Sequence, residues 1–129
     1  MNKKRVFISF DYDHDLEIKS GLVGQSHLDD SPFDIIDYSI KEPIASNWKE
    51  KARERIKRCD VVIVLCGHYT NTASGVTAEL TIAQEENIPY FLLQGRNDRY
   101  CVKPLHARYS DQMYEWTWSN LKALLNGAR

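Results

Sequence analysis

The longest unbroken apolar run in the chain, Val61-Val62-Ile63-Val64-Leu65-Cys66, shows no polar alternation. A strand wetted on one face alternates polar and apolar side chains, so an unbroken β-branched run predicts a strand covered on both faces, the central one of a parallel sheet. Val6-Phe7-Ile8-Ser9-Phe10 predicts an earlier strand that ends in Asp11-Tyr12-Asp13-His14-Asp15, a cluster suited to a loop and a helix N-cap. Leu16, Ile18, Leu22 and Val23 then give an apolar side to a helix from Leu16 to about Gly24, where glycine supplies a stop. After a polar connection from Gln25 to Pro32, Phe33 to Tyr38 predicts the second strand in chain order. Asp34 and Asp37 interrupt it, which places it at a sheet edge.

Beyond a loop around Pro43, Asn47 and Glu50 have the spacing of a capping box, and Trp48, Ala52, Ile56 and Cys59 recur at helical intervals. The central strand follows, and a polar loop from Gly67 to Gly75 leads to a helix over Val76–Glu86 with Val76, Leu80 and Ala83 on its buried face. Asn87 ends that helix before Pro89. Tyr90-Phe91-Leu92-Leu93 predicts the fourth strand, Gln94 to Asp111 is irregular, and Met113 to Trp116 predicts a fifth, edge strand. Trp118, Leu121 and Leu125 fit a last helix closed by Gly127. Alternating strands and helices imply right-handed crossovers, hence an α/β fold: a flavodoxin-like three-layer αβα sandwich with a five-stranded parallel sheet in the order 2-1-3-4-5. Ligands of such sheets bind beyond the strands' carboxyl ends at the switch point, here between the first and third strands. Residues 9–15, 38–47 and 66–76 are therefore the loops of interest.

With 129 residues the chain has the length of one ordinary domain, read as 1–129. Its 17 basic and 18 acidic side chains nearly cancel, so no bulk field favours nucleic acid or an anionic membrane, and a charged ligand must be held locally. Cys59, Cys66 and Cys101 have no metal-ligand spacing and read as reduced thiols. Met1-Asn2-Lys3-Lys4-Arg5 runs straight into a strand without the apolar segment of a signal peptide, and no stretch has the length of a membrane span. A cytoplasmic location is the expectation.

Several chemistries drop out. The first strand-to-helix turn has no glycine, which excludes a classical dinucleotide fingerprint, and no glycine-rich loop ends in Lys-Ser or Lys-Thr. A phosphoacceptor receiver needs an aspartate at the end of the third strand, where Leu65-Cys66-Gly67 stands. Asp11, Asp13 and Asp15 offer hard oxygen ligands to a divalent metal, but such a cluster also caps a helix, and no metal is assigned. His14, His27, His68 and His106 lack zinc spacing and read as surface residues. Ser9, Ser39 and Ser74 sit in no nucleophile elbow, so no covalent mechanism is assigned. Glu79 stands at the border of the apolar arc of the helix after the central strand, where its carboxylate would be partly desolvated beside the presumed crevice. An acid early in a helix also complements the helix dipole, and the residues alone leave both readings open.

Val6-Phe7-Ile8-Ser9-Phe10 with its acidic loop, Asp60-Val61-Val62-Ile63-Val64-Leu65 and Thr72-Ala73-Ser74-Gly75-Val76-Thr77-Ala78-Glu79-Leu80 resemble TIR domains. Together with Tyr114-Glu115-Trp116-Thr117-Trp118-Ser119-Asn120-Leu121, they resemble more closely the bacterial and archaeal TIR-like family once catalogued as a domain of unknown function. The resemblance implies an enzyme that cleaves or cyclises NAD at the nicotinamide glycosidic bond, in prokaryotic signalling or in antiphage defence of the Thoeris type. It implies Glu79 as the catalytic carboxylate, Phe10, Asp11 and Trp48 as pocket walls, and Thr72 and Ser74 as partners of ribose or phosphate. NAD would then be a substrate, and no cofactor is implied. The Trp-Cys pair that precedes the glutamate in many TIR domains is replaced by Gly75-Val76-Thr77-Ala78. Two other readings remain: a noncatalytic TIR-like module for self-association or docking to a signalling partner, and a nucleoside deoxyribosyltransferase-like enzyme, since related folds also set a glutamate beside a glycosidic bond.

Overall fold

The β-branched and aromatic runs form five strands: β1 (Lys4–Ser9), β2 (Phe33–Tyr38), β3 (Val61–Cys66), β4 (Tyr90–Gln94) and β5 (Met113–Glu115). They assemble in the order β2-β1-β3-β4-β5, every neighbouring pair parallel, which is the doubly wound sheet the sequence predicts. This computed structural model describes residues 3–39, 48–97 and 100–128. The expected Asn47 capping residue and most of the 38–47 loop, including Pro43, lie outside the described residues.

Every side chain of β3 is buried, and its alternation divides the core. Val61, Ile63 and Leu65 join Val6, Ile8, Leu22, Leu121 and Leu125 on one face. Val62, Val64 and Cys66 join Phe7, Ala52, Ile56, Val76, Leu80 and Ala83 on the other. Helices α1 (Leu16–Ser26) and α4 (Trp118–Leu125) therefore cover one side, and α2 (Trp48–Lys57) and α3 (Ser74–Glu85) the other. β2 alternates buried and open positions, as an edge strand does.

The boundaries differ from expectation at several ends. Gly24 does not stop α1, which runs on to Ser26; the glycine keeps helical geometry with open space where a Cβ would stand. A 3-10 turn at Thr70–Thr72 lies inside the expected loop, and α3 starts two residues earlier, at Ser74. β1 ends at Ser9, which leaves Phe10 just beyond the strand. Asn87 ends α3 as expected, in the left-handed region at φ 56°, and Gly127 closes α4 at φ 102°. Among the described residues no helix is formed between β4 and β5.

Candidate functional site

The carboxyl ends of β1 and β2 each contribute a serine, and both hydroxyls converge on one oxygen of α3. Ser9 Oγ donates to Glu79 Oε1 at 2.7 Å and Ser39 Oγ donates to the same oxygen at 2.5 Å. The Ser39 hydroxyl is itself oriented: it accepts from the Phe10 N–H at 3.1 Å, while the Ser39 N–H donates to Ile8 O at 2.9 Å. Glu79 reaches this position because Val76, Glu79, Leu80 and Ala83 follow the i, i+3, i+4, i+7 spacing of a buried helical stripe. The carboxylate is 2% exposed, not partly wetted as the sequence suggested. Nor does it serve the helix dipole, since the first turn of α3 holds no acid and this one is engaged with the strands.

Burial pushes the Glu79 carboxyl up from 4.5 to about 7. The Ser39 and Ser9 hydroxyls and the Arg55 charge oppose that rise, and Asp37 adds to it. Arg55 and Asp37 are themselves paired, Nη1 to Oδ1 at 3.3 Å. With two donors on Oε1, that oxygen acts as an acceptor, so the proton belongs on Oε2 when the group is neutral.

Beside this pair of serines opens a cleft of about 180 Å³, and Phe10, Asp11, Trp48, Thr72 and Ser74 all line it together with Ser39. The five binding candidates are thus brought to one place. Phe10 is also a core residue, 2% exposed and stacked on Tyr12 with ring centroids 5.2 Å apart. Asp11 is fixed by the Asp13 N–H on Oδ1 at 3.1 Å and by His14 Nδ1, 2.7 Å from Oδ2. Thr72 ends the 3-10 turn, with its hydroxyl donating to Tyr69 O at 2.8 Å, and Ser74 opens α3, whose N-cap Ala73 offers no side-chain acceptor; both residues are exposed. Among the described residues Ser39 alone links the two sets: it borders the cleft and holds the buried carboxylate.

Asp15 occupies the N-cap position of α1 but makes no cap. Its Oδ1 accepts from Arg96 Nε at 3.2 Å, and Arg96 also reaches His14 O at 2.8 Å and Glu17 Oε1 at 2.7 Å. Burial holds the Asp15 carboxyl above its ordinary range against the pull of Arg96. The pair ties the first loop to the end of β4, and sequence reading did not find it. Ser9 and Ser39 were considered there only as nucleophiles; their place as the last residue of one strand and the first beyond another is the signal that they face the switch point. All four histidines are exposed, and Cys59, Cys66 and Cys101 are buried. Among the described residues no group of three or more His, Cys, Asp or Glu side chains is arranged to hold a metal, and no helix is long and apolar enough to cross a membrane.

The family model described as "Thoeris protein ThsB, TIR-like domain" matches residues 7–99. The chain belongs to this TIR-like family. The match runs from β1 through the end of β4, so it includes the two serines, Glu79 and the five candidate residues that line the cleft. Membership places the protein among TIR-like proteins of signalling and defence. No curated protein matches the chain.

Proposed function

We propose that this TIR-like protein cleaves the bond between nicotinamide and ribose in NAD, with Glu79 as the essential carboxylate. The observation that carries the reading is a carboxylate buried at the switch point, raised to about 7 and held by hydroxyls from two strand ends, next to the cleft. When the glycosidic bond breaks, its electron pair leaves with neutral nicotinamide and positive charge develops on the ribosyl carbon. An ionised carboxylate in a low-dielectric site stabilises that charge far better than it would in water. The ribosyl carbon is then captured by water, which loses a proton, or by a ring nitrogen of the adenine of the same molecule. Hydrolysis and cyclisation therefore share one site, and in Thoeris-type defence the product would signal to a separate effector. Trp48 offers a face to a ring, Phe10 backs the cleft wall from the core, and Thr72 and Ser74 offer hydroxyls to ribose or phosphate.

The test is nicotinamide release from NAD by wild type and Glu79→Gln at several protein concentrations, with nucleotide products resolved by mass. Turnover that disappears in the variant supports the reading, and the product mass separates hydrolysis from cyclisation. The noncatalytic reading draws on Ile36 and Tyr38, apolar side chains 42% and 41% exposed on the β2 edge. Concentration-dependent assembly without nucleotide turnover would favour it.

A further inference from the structure

The cleft is small for the substrate proposed above. Cavities that enclose drug-sized ligands run roughly 300–1,000 Å³, and the cleft's volume of about 180 Å³ accommodates one ring and part of a sugar. A second cavity of about 560 Å³ lies between α2 and α3, and it shares Trp48, Thr72 and Ser74 with the cleft. Trp48 is thus a common wall with a binding space on either side.

The lining of this groove has the character of a base site. Trp48, Ala78, Ile82 and Leu105 give it apolar surface suited to a flat ring. Thr77 borders it with a buried hydroxyl that has no partner among the described residues. His106 Nδ1 lies 2.6 Å from Thr81 Oγ1, which donates to Thr77 O at 2.9 Å. In the neutral ring that chain puts the His106 proton on Nδ1 and leaves Nε2 as an acceptor for an exocyclic amine. Arg53 is engaged by Glu85 and Glu86 at 2.8 and 2.5 Å, whereas Lys49 adds positive charge at the same wall.

We infer that the α2–α3 groove is the subsite for the adenosine half of a dinucleotide whose nicotinamide half occupies the cleft, with Trp48, Thr72 and Ser74 at the junction. This rests on the proposed NAD reading, yet it is testable apart from turnover, because adenosine monophosphate carries the adenosine half and has no nicotinamide bond to break. In methyl-labelled protein, adenosine monophosphate shifts the Ile82, Thr81 and Leu105 methyl signals, while nicotinamide mononucleotide shifts the Val76 methyls at the cleft. Ala78→Phe, which fills the groove, weakens adenosine monophosphate binding by about tenfold or more and nicotinamide mononucleotide binding by less than about threefold. Leu105→Glu, at a side chain 69% exposed, replaces apolar wall against the ring with a charged carboxylate and weakens adenosine monophosphate in the same sense without burden on folding. Absence of groove shifts at millimolar adenosine monophosphate, or equal loss of both ligands in the variants, overturns the assignment. Absence of nicotinamide release alongside intact groove binding would instead sink the catalytic reading and leave the adenosine site standing.

Discussion

Glu79→Gln removes one ionisable group while keeping a carbonyl oxygen for the Ser9 and Ser39 hydroxyls. In the wild type, burial moves this carboxyl from 4.5 to about 7 on folding, so between those values the native chain holds a proton that the unfolded chain has lost. Stability falls with rising pH wherever the native state binds more protons. The favourable state is therefore fully present below pH 4.5, declines through the window and levels off above 7. That separation, at about 1.4 kcal/mol per pKa unit, comes to about 3 kcal/mol, and the group is buried enough that solvent screening takes little from it. The glutamine variant has no such slope. Urea unfolding of both proteins between about pH 4 and 8 should show the variant gaining about 3 kcal/mol on the wild type as pH rises, with every other titration common to the two chains. A difference that stays flat across this range would mean that Glu79 is an ordinary carboxylate, and the electrostatic argument for the site would fall with it.

Ser39→Ala takes away a donor that favours the ionised form, so the Glu79 carboxyl should titrate above the wild-type value of about 7 by carbon NMR; no upward movement would contradict the two-serine arrangement. It also strips the Phe10 N–H of its acceptor, at a stability cost of about 1–3 kcal/mol. Arg96→Ala leaves Asp15 buried without its cation and should cost about 3 kcal/mol near neutral pH. The loss should shrink in acid, where Asp15 protonates early because its carboxyl is raised, and an equal loss at both pH values would refute that account. At Gly67 an added Cβ would stand 2.3 Å from Asp15 Oδ2, so Gly67→Ala should destabilise by about 2 kcal/mol in thermal or urea unfolding. An unchanged melting temperature would show that the carboxylate moves freely.

The sheet was legible because its information is local. An unbroken β-branched run announces a doubly covered strand, and β3 has the bounds that run predicts. Two aspartates in six residues announce an edge, and β2 is one. Helix ends were read less well. Gly24 looked like a stop, yet a glycine inside a helix costs only about 1 kcal/mol, and α1 continues through it. The acidic loop looked like capping chemistry, but Asp15 finds Arg96 81 residues away, a pairing that no local window contains. The same limit applies at the site. Glu79 could be singled out by its helix and position, while its donors lie 70 and 40 residues earlier and meet it only when β1, β2 and α3 are assembled.

One sequence signal was stronger than its first reading. Val76, Glu79, Leu80 and Ala83 form a single buried stripe, and an acid in that stripe must give up its hydration when the helix packs. Folding alone has no use for a carboxylate there, since the two serines only partly offset the rise in its proton affinity. What the arrangement does supply is a buried carboxyl with its proton affinity raised to about 7, attached to the cleft through Ser39. A ligand hydroxyl that enters the cleft and bonds Glu79 Oε1 competes with a hydroxyl already 2.5 Å from that oxygen. Exchange of one hydroxyl for another conserves the hydrogen bond, so admission of the ligand costs little at the carboxylate itself. The larger demand is rotation of Ser39 away from the bond it accepts from the Phe10 N–H, which couples access to Glu79 to the backbone at the end of β1.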